Sequence, residues 1–277
     1  MVLADLSLRP EAQALVERYK SSPRAMFHKT DVRDWSQLSE LFSTTTAEFD
    51  SLDLVCPGAG VFEPSWSNFY QPPGASNSAS KDSADGFGRY ATLDINLTHP
   101  IRATQLAISE YLNPTKNGAK ASPTNPKRVV HIASIAAQLP LLSNPIYCAS
   151  KHAIVGFVRS LSELDSTFSI RISAVAPGLV RTPLWTDNPG KLQYVDESQD
   201  VWVTAREVAE AMLKLAEDPE MPGGTILEVG RLQTRIVPQF GNEGPSGRGH
   251  AVSNISKGNE EVIGLLGQEN WGKMVKQ

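Results

Sequence analysis

A phenol, an ammonium and an aliphatic hydroxyl stand close together in the middle of this chain. Tyr147 and Lys151 lie four residues apart in Tyr147-Cys-Ala-Ser-Lys151, a spacing that puts both on one helix face about one turn from each other. Ser134 comes just before them, at the carboxyl end of the apolar run Arg128-Val-Val-His-Ile-Ala-Ser134, which reads as a buried strand. A free tyrosine has a pKa of about 10 and is a poor base at neutral pH. A neighbouring lysine cation favours the phenolate and lowers that pKa. A serine hydroxyl beside them can orient and polarise an alcohol or a carbonyl. Such a trio can pass a proton to or from an alcohol oxygen as a hydride leaves or reaches its carbon.

The elements that must position these groups can be read in order. Met1 to Leu6 is a short strand ending at Asp5, and Pro10 to Lys20 an amphipathic helix with Ala14, Leu15 and Tyr19 as inward candidates. Ala25 to Thr30 is a strand that runs into Asp31-Val32. Asp34-Trp-Ser-Gln37 has the form of a capping box for a helix through about Phe49. The strand Leu52 to Cys56 leads into Pro57-Gly58-Ala59-Gly60, and residues 62–90 form a long Pro/Ser/Gly/Asn-rich loop. A loop of this length is functional or disordered; Trp66, Phe69 and Tyr70 in it either line an entrance or pack the loop to the body. Leu93 to Leu112 is a helix carrying Asn96, which Pro100 must kink or break. A polar loop covers Asn117 to Pro126. The helix opened by Tyr147 continues through Leu164 with apolar residues on more than one face, and Ser169 to Val175 is the next strand. Thr204-Ala-Arg-Glu207 is a second capping box, launching a helix to about Glu217, and Gly224 to Gly230 is a last strand.

Taken together, Ser134, Tyr147 and Lys151, Asn96 in Leu93-Asp-Ile-Asn96-Leu-Thr, and Pro177-Gly178-Leu-Val180-Arg-Thr182 resemble the short-chain dehydrogenase/reductase family over roughly residues 1–230, and the pattern around Met1–Leu6 with the overall order looks most like its hydroxyprostaglandin-type, NAD-using branch. The resemblance implies an α/β, doubly wound (Rossmann-like) parallel sheet and the interconversion of a secondary alcohol and a ketone by NAD(P). Tyr147 is then the acid/base, Lys151 lowers its pKa and binds ribose, Ser134 orients the substrate oxygen, and Asn96 holds a water beside the lysine. Asp5 binds the adenosine ribose, and Leu6 after it offers no arginine for a 2′-phosphate, which favours NAD over NADP. Asp31 and Val32 touch the adenine. Gly58, Ala59 and Gly60 let the backbone approach the cofactor, although Pro57 and Gly58 stand where the family usually has two asparagines. Pro177, Gly178, Val180 and Thr182 border the nicotinamide. Residues 183–203, with Trp185, Tyr194 and Trp202, form the family's substrate lid and suggest a lipophilic alcohol, such as a terpenoid or polyketide. The Asn96 and Tyr147 helices imply a homodimer or homotetramer.

The family's first strand and its Thr-Gly-x-x-x-Gly-x-Gly turn have no counterpart before Asp5 or later in the sequence. The chain opens where the second strand is expected, so the first two strands should separate from the rest of the sheet. Two other readings follow: a non-catalytic dimerising protein on the same fold, or a non-redox isomerase or dehydratase using the same tyrosine. The 231–277 tail lies beyond the resemblance, with flexible composition from Gly241 to Gly249 and a helix only at 260–273. Ile263, Leu266 and Trp271 there would cap the cleft or a subunit edge, and the tail reads mainly as mobile.

Composition narrows the classes. With 277 residues and 40% hydrophobic content, one large core is the default. A net charge of −4 leaves no basic footprint for nucleic acid, and the partner expected is a small-molecule substrate. No apolar run reaches membrane-spanning length, and the histidines show no metal-ligand spacing, so neither a membrane span nor a metal is expected. Cys56 and Cys148 make no disulfide framework and point to a reducing, cytoplasmic setting. Asn96-Leu-Thr98 and Asn254-Ile-Ser256 match the glycosylation pattern by chance on this reading.

Overall fold

Two sheets run through the computed structural model, which describes residues 1–115, 118–187, 189–239, 255–269 and 271–273. The smaller pairs β1 (Val2–Asp5) with β2 (Met26–Lys29) in parallel. The larger has the order β3 (Leu54–Val55), β4 (Lys127–Ile132), β5 (Ile170–Pro177), β6 (Ile226–Gly230), β7 (Gln233–Ile236). Strands β3 to β6 are parallel, and β7 turns back antiparallel onto β6. Between the strands lie α1 (Pro10–Arg18), α2 (Trp35–Phe49), α3 (Ala91–Leu93), a π-helical turn (Asp94–Thr98), α4 (His99–Leu112), α5 (Pro145–Ser160) and α6 (Glu163–Phe168). The short α7 (Pro183–Thr186) and α8 (Pro189–Leu192), then α9 (Ala205–Glu217) and α10 (Ile255–Leu266), complete the described elements. This is a doubly wound α/β fold.

The strand sequences explain the layering. Every residue of β5 is buried, as expected of a parallel strand covered on both faces. Side chains alternate across the sheet. Val129, Ile172, Ala174 and Ile226 join one apolar cluster with α4 and α5, whereas Val130, Val175, Leu227 and Val229 join another with Ala211 and Leu215 of α9. Helix α9 starts in the expected capping box, Thr204 and Glu207 satisfying each other's backbone N–H. The Asp34 box forms only in half. Asp34 accepts from Ser36 N and Gln37 N, but Gln37 Oε1 accepts from Asp31 N rather than from Asp34 N, and Gln37 Nε2 donates to the Asp34 carboxylate.

The sheet divides where the sequence pattern places the division, between β1 and β3. Residues 52–56 extend as a strand only over Leu54–Val55, and Leu54 is exposed. Helix α1 departs from expectation more sharply. It buries none of its residues, and Ala14 and Leu15 face solvent. Its apolar stripe is present, but the two-stranded β1–β2 sheet offers too little surface to cover it.

The tail also departs from a mobile reading. Strand β7 extends the sheet beyond residue 230, and α10 runs over 255–266 rather than 260–273. Leu266 is buried against the α4 and α5 cluster, and the Trp271 carbonyl accepts from Ser109 Oγ and Asn113 Nδ2. These residues dock on the body rather than over the cleft. Gly241 to Gly249 and Asn254 lie outside the described residues. Among the described residues, no helix is long and apolar enough to cross a membrane.

Candidate active site

Strand β4 delivers its chemistry at its carboxyl end. Ser134 has extended backbone (φ −172°, ψ 160°), and its Oγ caps a single 3-10 turn by accepting from Ala136 N at 3.1 Å. Helix α5 begins beyond the loop, opened by Pro145, whose missing N–H and fixed φ suit the first helical position. Tyr147 and Lys151 follow one turn apart and both are buried, as is Ser134. The Lys151 ammonium lies 5.6 Å from the Tyr147 ring centroid and donates to the Ile132 carbonyl at 2.8 Å.

The electrostatics differ from the expectation that lysine would lower the phenol. Burial dominates and raises the Tyr147 pKa above its ordinary value of 10, while the Ser134 hydroxyl pulls it back and Cys148 adds to the rise. Burial also lowers Lys151 to about 8. In this environment Tyr147 holds its proton. His99 and His131, buried nearby, are pushed down to about 4 and about 3; burial is the main cause for both, and the Lys151 charge contributes.

Asn96 sits in the π-helical turn, where Pro100, four residues on, has no N–H to give the Asn96 carbonyl. The helix answers with a wider turn, the His99 N–H reaching Asp94 O. The break thus falls before Pro100 rather than as a kink within one helix. The buried Asn96 side chain accepts from Val61 N and donates to Val61 O, both at 2.8 Å, and donates to Ser150 Oγ at 3.3 Å. It therefore ties the glycine loop to the helix carrying Tyr147 and Lys151.

These groups meet at a cavity of about 810 Å³. Gly58, Gly60, Pro177, Gly178, Val180 and Thr182 line it together with Ser134, Tyr147 and Lys151. A Cβ on Gly60 would lie 3.5 Å from Asn96 Oδ1 and 3.9 Å from Lys151 Nζ, so glycine keeps open the space beside the lysine. Val180 forms a bridge with Val203, and the Val203 N–H donates to Leu179 O, pinning the segment after β5 to the start of α9. The remaining wall is mainly aromatic and aliphatic, including Phe62, Trp66, Leu141, Trp185 and Tyr194, with Ser143, Asn144, Asp187 and Asp200 as polar members. The Phe62 ring meets Tyr147 edge-on at 4.7 Å and Trp185 at 5.1 Å. Of the loop aromatics, Trp66 lines the cavity, whereas Phe69 and Tyr70 are outside it, Tyr70 bonding through its hydroxyl to Leu142 O.

The residues expected to meet the adenosine stand apart. Ala59 is exposed in the glycine loop, and Asp5 is exposed with its carboxylate accepting from Leu6 N. Asp31 is gripped by the Arg33 guanidinium, which lowers its pKa, and it lines a separate open hollow with Arg33, Asp34, Arg89 and Asp94. Val32 borders neither space. A nicotinamide riboside fits the residues present, because Gly60 leaves room against Lys151 and the Pro177 to Thr182 segment closes the far wall. No glycine-rich turn at a helix start faces a pyrophosphate among the described residues. Phe62 and Glu63 also belong to the site and were not legible beforehand; their only signal was an aromatic-acid pair directly after the glycine loop.

Comparison with known proteins agrees with this geometry. The profile of the family described as short chain dehydrogenase matches residues 1–192. The human 15-hydroxyprostaglandin dehydrogenase [NAD(+)] is 27% identical over 240 residues, 80% of this chain and 79% of that protein. The short-chain dehydrogenase/reductase prx7 of Penicillium rubens is 31% identical over 171 residues, 61% of this chain and 56% of that protein. The crystal structure of a Brucella melitensis 3-oxoacyl-[acyl-carrier protein] reductase in complex with NAD superimposes with a TM-score of 0.64 at 18% identity, covering 82% of this chain and 84% of that one, which establishes likeness of fold.

Proposed function

The chain belongs to the short-chain dehydrogenase family, and on that premise we propose that it interconverts a lipophilic secondary alcohol and its ketone using NAD. The observation behind this reading is the convergence of Ser134, Tyr147 and Lys151 at one end of an apolar cavity whose glycine loop is anchored by Asn96. The bound dinucleotide supplies the hydride acceptor or donor. Ser134 Oγ orients the substrate oxygen, and Tyr147 Oη gives it a proton in the reducing direction or takes one in the oxidising direction. Lys151 binds ribose hydroxyls from the space that Gly60 leaves open. Asn96 holds that loop at a fixed distance from α5, so the lysine and the ribose stay in register.

A raised Tyr147 pKa keeps the phenol protonated, the form that ketone reduction needs, while making it a weaker proton donor than a free tyrosine. Oxidation needs the phenolate and gains from alkaline pH. Asp5 at the end of β1, followed by Leu6, supports NAD over NADP, because a carboxylate accepts from two ribose hydroxyls and repels a 2′-phosphate. The hydroxyprostaglandin dehydrogenases, named as NAD(+) enzymes, point the same way. The aromatic and aliphatic wall favours an apolar carbinol such as a terpenoid or polyketide alcohol. Two free cysteines suit a reducing, cytoplasmic setting, and the exposed Ala149, Gly156 and Ser160 on α5 offer a face for a second copy of the chain.

The test is a titration of millimolar NADH and NADPH against a panel of lipophilic ketones, followed by loss of reduced-nicotinamide absorbance. Turnover with NADH in preference to NADPH supports the reading. Tighter use of NADPH would overturn the cofactor assignment, and no turnover with any ketone would overturn the reaction.

A further inference from the structure

Glu63 is fully buried directly beside the catalytic helix, and nothing in the acid/base trio accounts for it. Its backbone is left-handed (φ 42°), a conformation that a non-glycine residue adopts only when its surroundings hold it there. Each carboxylate oxygen accepts one backbone N–H: Oε1 from Phe69 at 3.1 Å and Oε2 from Tyr147 at 2.9 Å. The second contact fills a gap in α5. The first N–H groups of a helix have no partner within it, and the N-cap residue Asn144 makes no side-chain capping bond. Pro145 has no N–H, and the first bond inside the helix is Cys148 N to Asn144 O. The Tyr147 amide therefore depends on a cap brought from another segment, a carboxylate at the positive end of the helix.

The same dipeptide grips the lid. Lys191 of α8 donates to Phe62 O and, at 3.1 Å, to Glu63 O, and its ammonium lies 3.9 Å above the Phe62 ring. Phe62 in turn packs edge-on against the Tyr147 ring.

We infer that Glu63 is a positioning residue: by capping α5 at the Tyr147 amide, it sets the phenol against Ser134 and Lys151, and it joins that setting to the lid and the 62–70 loop. This rests on the reading of Tyr147 as acid/base. A misplacement of about 1 Å in a catalytic group can cost on the order of 100-fold in rate. In Glu63→Gln one oxygen remains to accept while the new amide nitrogen faces the second N–H; Glu63→Asp keeps both acceptors on a shorter stem.

The test compares Glu63→Gln and Glu63→Asp, alone and with Tyr147→Phe, all at millimolar NADH with one reactive ketone. Glu63→Gln should lower kcat by roughly 10- to 100-fold while KM for ketone stays within about threefold, with Glu63→Asp intermediate. In the Tyr147→Phe background, which keeps the ring and the amide, Glu63→Gln should change the residual rate less than about twofold, because groups acting as a unit are not additive. In the cofactor-free protein, amide exchange at Tyr147 should speed up by about tenfold or more in Glu63→Gln. Wild-type kcat in both Glu63 variants, or a full additive loss in the double variant, overturns this inference while leaving the acid/base assignment in place. If Glu63→Gln fails to fold, the Asp variant and its double decide by the same criteria. A wild-type rate in Tyr147→Phe alone would remove both the assignment and this inference.

Discussion

Replacing Tyr147 by Phe should separate chemistry from architecture more cleanly than any other change in this chain. The ring is buried and packs edge-on against Phe62, and the backbone amide is held by Glu63; phenylalanine keeps both contacts. What disappears is one hydroxyl, whose polar neighbour is Ser134. Losing a single neutral hydrogen bond costs stability by about 0.5–1.5 kcal/mol. Losing a positioned proton donor costs roughly 100- to 10,000-fold in rate, or about 2.7–5.4 kcal/mol of barrier. Rate should therefore collapse while the melting temperature falls only a few degrees. The assay is single-turnover reduction of a ketone at millimolar NADH, with a thermal melt and a dinucleotide titration on the same preparation. A rate within about threefold of wild type would refute the acid/base role. Loss of dinucleotide binding in step with rate would show that the phenol acts in binding rather than in proton transfer.

Burial raises the Tyr147 pKa, so alcohol oxidation, which needs the phenolate, should climb with pH through the alkaline range while ketone reduction stays level or falls. An oxidation rate independent of pH between about 7 and 9 would contradict this. Gly224 has φ +85°, and a Cβ there would lie 2.8 Å from Ser162 Cβ, so Gly224→Ala should destabilise the fold by about 1–3 kcal/mol from backbone strain alone, read as a lower denaturant midpoint. Among the described residues no glycine-rich turn at a helix start faces a pyrophosphate, and three absent bonds to charged oxygens at about 1.5 kcal/mol each amount to roughly three decades of affinity. Calorimetry should accordingly give an NAD dissociation constant weaker than about 0.1 mM, and micromolar binding would mean that another segment supplies those donors.

The trio was legible because strand end, loop and helix start are local patterns. Ser134 follows a run of buried β residues, and Tyr147 and Lys151 share a helix face whatever else the chain does. The Thr204 box was legible for the same reason. The sign of the Tyr147 shift was not, since spacing shows that a lysine is near but not how deeply the phenol is buried, and burial is the largest cause of the shift here. Nor was α1: its amphipathic pattern is sound, but whether a stripe is covered depends on the width of the sheet beneath it. Glu63 carries no local signal because Tyr147 N and Lys191 reach it from distant segments, and Phe69 N from further along its own irregular loop. Leu266 and Trp271 likewise dock through contacts with α4 that no local pattern announces.

Transfer of the carbinol hydrogen tests the central claim most directly. Menthol or indanol deuterated at the carbinol carbon is incubated at alkaline pH with millimolar NAD and residues 1–277, and the reduced dinucleotide is weighed by mass spectrometry. The account predicts one deuterium on the reduced nicotinamide, formed by the wild-type chain and nearly absent with Tyr147→Phe. Reduced dinucleotide without the label, or label transfer undiminished in Tyr147→Phe, would contradict it.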